Sequence, residues 1–172
     1  NILLPAIGQG TWYMGEKASQ RRQEVDALRA GIERGLTLID TAEMYADGGA
    51  EEVVGEAIAG QRDKVFLVSK VYPWHAGGQK GMAACEASLR RLGTDHIDLY
   101  LLHWRGNFSL TETVQLMETL QQQGKIGRWG VSNLDYADMQ ELWQVPGGQA
   151  CATNQVLYHL APRGNEYDLL PW

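Results

Sequence analysis

The sequence predicts an α/β fold, specifically a (β/α)8 barrel to which this chain contributes about six βα units. Six strand-sized apolar runs alternate with helical segments at intervals of roughly 30 residues, which is the spacing of repeated βα units. Several of these runs end on polar or charged residues, as strands of a parallel sheet do when their carboxyl ends form a site. Gly8, Gly10 and Gly15 lack the G-x-G-x-x-G spacing that a doubly wound nucleotide-binding sheet carries after its first strand.

One domain is expected over residues 1–172. A chain of 172 residues with 44% hydrophobic residues can bury a single sizeable core, and no shift in composition marks a second one. A complete barrel of this type has about 250 residues, so the chain is expected to supply roughly three quarters of the strands. The domain is therefore expected to be truncated at its C-terminal side, and the start on Asn rather than Met also suggests a piece of a longer chain.

Charge and cysteine content restrict the classes of partner. The formal net charge of -6 argues against nucleic acid or an anionic membrane surface as partner, because both are bound through basic surfaces. No apolar stretch approaches the roughly 20 residues of a membrane span, and the N-terminus lacks the charged region of a signal peptide. Cys85 and Cys151 form no CxxC pattern and fit reduced thiols, so a cytoplasmic protein is predicted. The sequence does not specify the oligomeric state, and a monomer is slightly favoured.

The six strands follow from apolar runs that are bounded by turn residues. Most of the runs are rich in Leu, Ile and Val without polar alternation, which is typical of parallel strands covered on both faces. The fifth run is assigned as a strand despite its two glycines. Strands are predicted at 5–10, 36–40, 65–70, 97–103, 126–131 and 152–156.

The helices follow from apolar residues at helical spacing and from glycines that end them. Ser19 is predicted to cap the first helix, in which Val25, Leu28 and Ile32 form the apolar face before Gly35. Glycines also end the next three helices. The remaining helices are predicted around 53–58, then at about 80–92, 111–123 and 136–143, with an opening helical turn at 165–172.

The stretch 36–45, LTLIDTAEMY, carries the main functional signal. Its apolar run ends on Asp40, which cannot be buried as an anion without a partner, and Tyr45 follows five residues later. Two later strands end on Lys70 and His103. Because parallel strands place their carboxyl ends on one side of the sheet, these four residues are predicted to converge.

Such a cluster is suited to protonating a developing alkoxide. A phenol has a reference pKa near 10, so we expect Lys70 to favour the anion of Tyr45 and Asp40 to balance the lysine. His103 is expected to hydrogen-bond a substrate carbonyl oxygen or to share its proton. Taken alone, each residue has an ordinary structural explanation: a turn carboxylate, a solvated lysine or a core histidine. The joint pattern favours catalysis.

A reduced nicotinamide is predicted beside this cluster, because no side chain can deliver a hydride. Its carboxamide needs both donors and acceptors, which four residues at later strand ends would supply. These residues are Ser132, Asn133, Asn154 and Gln155. No metal site is predicted, since His75, His96 and His159 show no metal-ligand spacing.

Aromatic residues follow several of the strands. Trp12, Tyr72, Trp74 and Trp104 all fall in loops just after strand ends, where they would line a pocket for an apolar substrate. The alternative is that Tyr72, Pro73 and Trp74 simply plug the mouth of the barrel.

At these residues the sequence resembles the aldo-keto reductases, whose motifs it matches in order over nearly the whole chain. The matching stretches are GQGTW, LIDTAEMY followed by GGAEEVVGEAI, VFLVSKVY, DLYLLHW, GKIGRWGVSN and TNQVLYH. The resemblance implies a (β/α)8 barrel in which Asp40, Tyr45, Lys70 and His103 form a catalytic tetrad, with Tyr45 as the proton donor.

The resemblance also implies positions for a cofactor and a substrate. Gly10, Thr11 and Trp12 match positions near the nicotinamide ribose, and Asp40, Ser132, Asn133 and Gln155 match contacts of the nicotinamide ring. Trp12, Tyr72 and Trp104 match aromatic positions of the substrate pocket. The family segments that would follow Trp172 carry a stacking tyrosine, the pyrophosphate loop and the 2′-phosphate site. The expected cofactor is NADPH, with NADH as the alternative, and the chain does not carry the segment that decides between them.

The function predicted from the sequence is reduction of small aldehydes or ketones by NAD(P)H, with Tyr45 supplying the proton. A small-molecule carbonyl compound is thus the expected partner. Two alternatives stay open at this stage. Lys70 would act as the nucleophile of a Schiff-base aldolase, which a barrel can host. A protein of this fold can also serve as a cofactor-binding regulatory or sensor subunit, although the complete tetrad favours an enzyme.

Overall fold

The computed structural model describes residues 4–172 and contains one six-stranded parallel sheet. Its strands lie side by side in chain order, and every neighbouring pair is parallel. A doubly wound sheet reverses its strand order at a switch point, whereas this order continues in one direction as in a barrel. The strands are β1 (Gln9–Gly10), β2 (Leu38–Asp40), β3 (Phe66–Val71), β4 (Ile97–Leu102), β5 (Ile126–Ser132) and β6 (Asn154–Gln155).

One long-range contact shows that the sheet is curled. The side-chain amide of Gln155 on β6 donates to Asp40 Oδ2 on β2 at 2.9 Å. These strands are four places apart in the sheet, which corresponds to about 19 Å in a flat sheet at the usual strand spacing. The contact therefore requires the curvature of a barrel. The fold is that of a (β/α)8 barrel, of which this chain supplies six strands, and the prediction from the sequence is confirmed.

In the part of the chain that the structure describes, five α-helices follow the first five strands and cover the outer face of the sheet. Helix α4 begins with a capping box, in which Ser109 accepts from the backbone of Glu112 while the Glu112 side chain accepts from Ser109. Among the described residues, no helix has the length and apolar character needed to cross a membrane. The helices are α1 (Arg21–Glu33), α2 (Gly49–Ile58), α3 (Gly78–Leu92), α4 (Leu110–Gln122) and α5 (Tyr136–Gln144).

The alternation of side chains along the strands places the polar residues at the mouth of the barrel. Leu67 and Val71 of β3 belong to the large core between sheet and helices, whereas Val68 belongs to a separate inner cluster with Leu99 and Leu101. Because side chains alternate between faces, Lys70 lies on the same face of β3 as Val68. Asp40 and His103 lie on the same face by the same count. The apolar inner cluster thus forms the floor beneath these three residues.

A buried carboxylate supports β3 from its outer side. Glu51 of α2 is fully buried, accepts from Ser69 Oγ at 2.6 Å and accepts from Arg91 Nε of α3 at 2.7 Å. Breaking such a buried pair is costly, since the remaining charge would have no partner. The network joins two helices to the strand residue that precedes Lys70.

The structure differs from the predicted elements at several places, and the last strand is only Asn154–Gln155 rather than 152–156. Ser19 does not cap α1: Gln20 holds that position in a helical conformation and makes no capping side-chain bond. The first strand is only Gln9–Gly10, because only these two residues pair with β2. The predicted helical turn at 165–172 is a 3-10 turn, Gly164–Glu166, followed by further turn residues rather than an α-helix.

Candidate active site

Asp40 and Lys70 form a buried ion pair at the ends of β2 and β3. Lys70 is 1% exposed, and its Nζ donates to Asp40 Oδ1 at 2.6 Å and to the Thr41 carbonyl oxygen at 3.0 Å. Burial lowers the pKa of Lys70, while the charge and hydrogen bond of Asp40 oppose this shift. The carboxylate therefore supports the charged form of an amine that has almost no contact with solvent.

Tyr45 approaches this pair from the loop after β2. The loop continues the parallel pairing, since the backbone N–H groups of Thr41 and Glu43 donate to the carbonyls of Val68 and Lys70. The Tyr45 hydroxyl lies 3.5 Å from Lys70 Nζ. Catalytic hydrogen bonds are often long before the substrate binds, so this distance suits a proton donor.

The pKa of Tyr45 differs from the sequence-based expectation. Burial of the phenol, and secondly the negative charge of Asp40, raise its pKa from 10.0 to about 12. We expected Lys70 to lower it, but Asp40 is paired with that lysine and its charge acts in the opposite direction. The phenol is consequently protonated at neutral pH, which is the form that an acid requires.

His103 follows β4 directly and completes the predicted group of four. Its ring centroid lies 5.7 Å from that of Tyr45, and the two planes are nearly perpendicular. Burial, and secondly the nearby charge of Lys70, lower the pKa of His103 to about 4. The imidazole is neutral at physiological pH and suited to hydrogen bonding a substrate oxygen.

The lowered pKa of His103 predicts a pH dependence of stability. Between pH 6.5 and about 4 the unfolded chain binds a proton at this residue and the folded chain does not. The free energy of unfolding should therefore fall as pH decreases through this window. Denaturant titrations of wild type and His103→Gln should show a smaller fall in the variant. Equal pH dependence in the two proteins would show that His103 titrates normally when folded.

A cavity of about 490 Å³ opens above these residues at the carboxyl ends of the strands. This is the end of the barrel at which active sites of the fold lie. The cavity brings together residues from loops after β1, β2 and β4 and from the ends of β5 and β6. Its lining consists of Trp12, Met44, Tyr45, His103, Trp104, Ser132, Asn133, Gln155, Val156 and Leu157.

One wall of the cavity is formed by the polar groups Ser132, Asn133 and Gln155. Asn133 has a left-handed backbone, with φ of 58°, and its side-chain amide donates to the carbonyl oxygen of His103 at 3.1 Å. Ser132 Oγ donates to the Gln155 carbonyl oxygen at 2.9 Å. Within residues 4–172, Asn133 Oδ1 and Gln155 Oε1 make no hydrogen bond in the protein. These acceptors fit the NH2 group of a nicotinamide carboxamide.

The three predicted cofactor residues at the end of β1 and just after it have different environments. Gly10 pairs with Asp40 in the sheet, and a side chain there would meet no atom within 4 Å. Thr11 is fully buried, and its hydroxyl donates to the Asp40 carbonyl oxygen at 3.0 Å. Trp12 is 61% exposed and stacks on the Tyr45 ring at 6.2 Å. Of the three, Trp12 is the one that lines the cavity.

Asn154 does not join the other amides. Its side-chain NH2 group donates to the Leu134 carbonyl oxygen at 2.8 Å, and the residue does not line the cavity. Neighbouring residues of a strand point to opposite faces, so Asn154 and Gln155 cannot both face the inside of the barrel. The expectation that both contact the nicotinamide is wrong for Asn154.

The aromatic residues after β3 and β4 pack on one another. Tyr72 stacks on Trp74 at 5.5 Å and contacts Trp104 edge to face at 5.7 Å, and Trp74 contacts Trp104 at 5.8 Å. Of these three, only Trp104 lines the 490 Å³ cavity, so Tyr72 supports the pocket through Trp104. We refer to Tyr72, Trp74 and Trp104 as the aromatic wall.

Sequence reasoning missed several residues at the site. Met44, Val156 and Leu157 line the cavity; Met44 and Val156 adjoin the predicted residues Tyr45 and Gln155, and Leu157 follows Val156. These three are ordinary apolar residues, so only their nearness in sequence to predicted site residues could have indicated that they line the cavity. A hydrogen bond between the Glu43 carboxylate and His75 Nδ1, at 2.7 Å, was also missed, because the two residues lie 32 positions apart in the sequence and only Glu43 belongs to the stretch 36–45.

The environment of Lys70 does not suit a Schiff-base nucleophile. An ammonium has three N–H donors, and the three acceptors Asp40, Thr41 and Tyr45 surround this one. Lys70 also does not line the cavity. Attack on a carbonyl would require it to leave all three partners.

A comparison of the sequence with models of protein families gives a match. The sequence model of the aldo/keto reductase family matches residues 6–171. The chain belongs to the aldo-keto reductase family. The resemblance stated from the sequence motifs is thus confirmed.

Two curated aldo-keto reductases illustrate the range of similarity. Methylglyoxal reductase YeaE of Escherichia coli is 78% identical over 172 residues, which is all of this chain and 61% of the relative. Aldo-keto reductase YhdN of Bacillus subtilis is 37% identical over 96% of this chain and 54% of its own length. The chain thus spans about three fifths of the first relative and about half of the second.

Solved aldo-keto reductase structures agree with the fold. An aldo/keto reductase from Klebsiella pneumoniae, crystallised with NADP and acetate, is 72% identical and has a TM-score of 0.97 over 98% of this chain and 60% of that one. The thermostable aldo-keto reductase Tm1743, crystallised with the inhibitor epalrestat, is 37% identical with a TM-score of 0.87, over 96% of this chain and 62% of that one.

Proposed function

We propose that this aldo-keto reductase chain belongs to an enzyme that reduces small aldehydes or ketones to alcohols with NADPH. The observation that carries the proposal is the cluster at the cavity. The Tyr45 hydroxyl lies 3.5 Å from a buried ammonium, which lies 2.6 Å from a carboxylate, and a neutral imidazole stands beside the phenol. The high identity to a methylglyoxal reductase supports the same chemistry.

The residues of the chain perform the proton half of the reaction. The substrate carbonyl oxygen accepts hydrogen bonds from the Tyr45 hydroxyl and from His103, which polarise the carbonyl group. As negative charge develops on that oxygen, Tyr45 transfers its proton, because an alkoxide is a stronger base than a phenolate. Lys70 stabilises the phenolate that forms, and Asp40 holds Lys70 in place. A bound reduced nicotinamide supplies the hydride.

The polar groups at one wall of the cavity are the proposed site of the nicotinamide. Ser132, Asn133 and Gln155 would hold its carboxamide, and Trp12 would lie near the ring. We propose NADPH as the cofactor, with NADH as the alternative, because a reductase 72% identical to this chain was crystallised with NADPH. A single barrel domain that includes residues 1–172 is part of the same proposal, as is a cytoplasmic location.

The experiment that tests the proposal follows reduced-nicotinamide absorbance with the purified protein. Methylglyoxal and a panel of small aldehydes serve as substrates, and NADPH is compared with NADH. Oxidation of NADPH that depends on the carbonyl compound is the expected result. Tight binding of NADPH without turnover of any carbonyl compound would contradict the proposal and favour the sensor alternative.

A further inference from the structure

Glu43 connects the loop that carries Tyr45 with the segment that carries the aromatic wall. Its carboxylate accepts from the backbone N–H of Tyr72 at 3.0 Å and lies 2.7 Å from His75 Nδ1. Its own backbone N–H donates to the Lys70 carbonyl oxygen at 3.2 Å. The Glu43 side chain is only 13% exposed, so these contacts are its main compensation for leaving water.

Both carboxylate oxygens bind the same short segment, at its two ends. The segment between them, Tyr72 to His75, is a 3-10 turn closed by the His75 N–H, which donates to the Tyr72 carbonyl oxygen at 2.9 Å. The turn carries the rings of Tyr72 and Trp74. The carboxylate therefore holds the backbone at Tyr72 and the ring of His75, on either side of Trp74.

Both aromatic rings of this segment contact Trp104. Tyr72 and Trp74 both contact Trp104, and Trp104 packs on His103 with ring centroids 4.8 Å apart. Trp104 is also the member of the aromatic wall that lines the cavity. A continuous set of contacts thus leads from the Glu43 carboxylate to the ring that faces a bound substrate.

Glu43 itself is absent from that cavity. It lines a different one of about 500 Å³, together with His75, Trp74 and Lys80 of α3. Its carboxylate therefore cannot act on the reacting atoms directly, and any influence on the reaction passes through the segment that it holds.

We propose that Glu43 and His75 are positioning residues that fix the aromatic wall and so set the preference for carbonyl substrates bearing an aromatic ring. The proposal rests on the proposed reductase function. A substrate ring packs against Trp104, and such aromatic contacts contribute to binding only when the rings keep a favourable geometry. A substrate with a methyl group in place of the ring makes little use of the wall.

Two substrates that differ only in this group test the proposal. Phenylglyoxal is methylglyoxal with a phenyl ring in place of the methyl group. In Glu43→Ala and His75→Ala we expect KM for phenylglyoxal to rise about tenfold, while kcat/KM for methylglyoxal changes by less than about threefold. His75→Ala keeps the experiment informative if Glu43→Ala folds poorly, because the His75 side chain is 41% exposed.

Two further variants control the comparison. Glu43→Gln keeps an oxygen for the Tyr72 N–H and an amide that can donate to a neutral His75, so it should restore most of the phenylglyoxal affinity. Glu56→Gln removes a carboxylate from an exposed ion pair with Arg21 and should leave both substrates unaffected. Near-UV circular dichroism of each variant without substrate reports the packing of the aromatic side chains, Trp74 and Trp104 among them, independently of activity.

The outcomes separate this proposal from the proposed function. Absence of turnover in wild type would overturn the reductase function, while the near-UV signal would still test the positioning role. An unchanged near-UV spectrum in both alanine variants would overturn that role. An equal loss of kcat/KM for both substrates would show that Glu43 acts by positioning Tyr45. That result would overturn the specificity proposal.

Discussion

Under the proposed function, replacement of Tyr45 by Phe is expected to lower kcat for carbonyl reduction by about 10²–10⁴-fold, the usual contribution of a general acid. The phenol is the hydroxyl that lies both at the cavity and within 3.5 Å of Lys70 Nζ. His103 is neutral with a pKa of about 4, so it carries no extra proton to replace that of Tyr45 at neutral pH. Steady-state kinetics from pH 6 to 9 would measure the loss.

Binding of NADPH provides the control for Tyr45→Phe. The phenylalanine ring retains the stacking position beside Trp12, so the dissociation constant of NADPH, measured by fluorescence quenching, should change little. Turnover within about threefold of wild type would exclude Tyr45 as the proton donor. Loss of NADPH binding together with turnover would instead show that the substitution damages the site.

Replacement of Lys70 by Met should have the second large effect, on both stability and catalysis. Removing one member of a buried ion pair typically costs about 3–5 kcal/mol, because the other charge loses its partner. Asp40 would keep only the Gln155 amide at 2.9 Å among its side-chain partners within residues 4–172. Urea unfolding of wild type and variant would measure the change, and kcat should fall because no cation stabilises the phenolate.

The double variant Asp40→Asn/Lys70→Met separates the two effects. It removes both charges, so part of the lost stability should return while turnover stays low. Equal stability of the single and double variants would show that the uncompensated Asp40 charge is not the source of the loss. Recovery of turnover in the double variant would contradict the role given to Lys70.

The positions of Asp40, Lys70 and His103 were predictable because they depend only on chain direction and side-chain alternation. Each ends an apolar run, and parallel pairing brings such ends to one side of the sheet. Asp40 pairs with Val68 and Lys70 pairs with Leu101. The levels of Asp40, Lys70 and His103 along the sheet therefore differ by only a few residues. Strand periodicity was therefore sufficient for these three residues.

Other properties depend on distances that no local pattern encodes. The raised pKa of Tyr45 results from burial and from the placement of Asp40, and its direction was opposite to the expectation. The pair of Glu43 and His75 requires two loops to meet in space. For Asn154 and Gln155 a local pattern does suffice, because side chains alternate along a strand and only one of two neighbours lies on the inner face.

The distribution of Asp40, Lys70 and His103 over three strands has a consequence for the stage of folding at which the candidate site forms. Asp40, Lys70 and His103 follow one another at intervals of roughly 30 residues, and each pair is joined by a parallel crossover through a helix. Such non-local pairings form slowly compared with helices. An intermediate that has gained its helical content but not the β2–β3–β4 pairing would contain every reactive group and yet have no reactive centre.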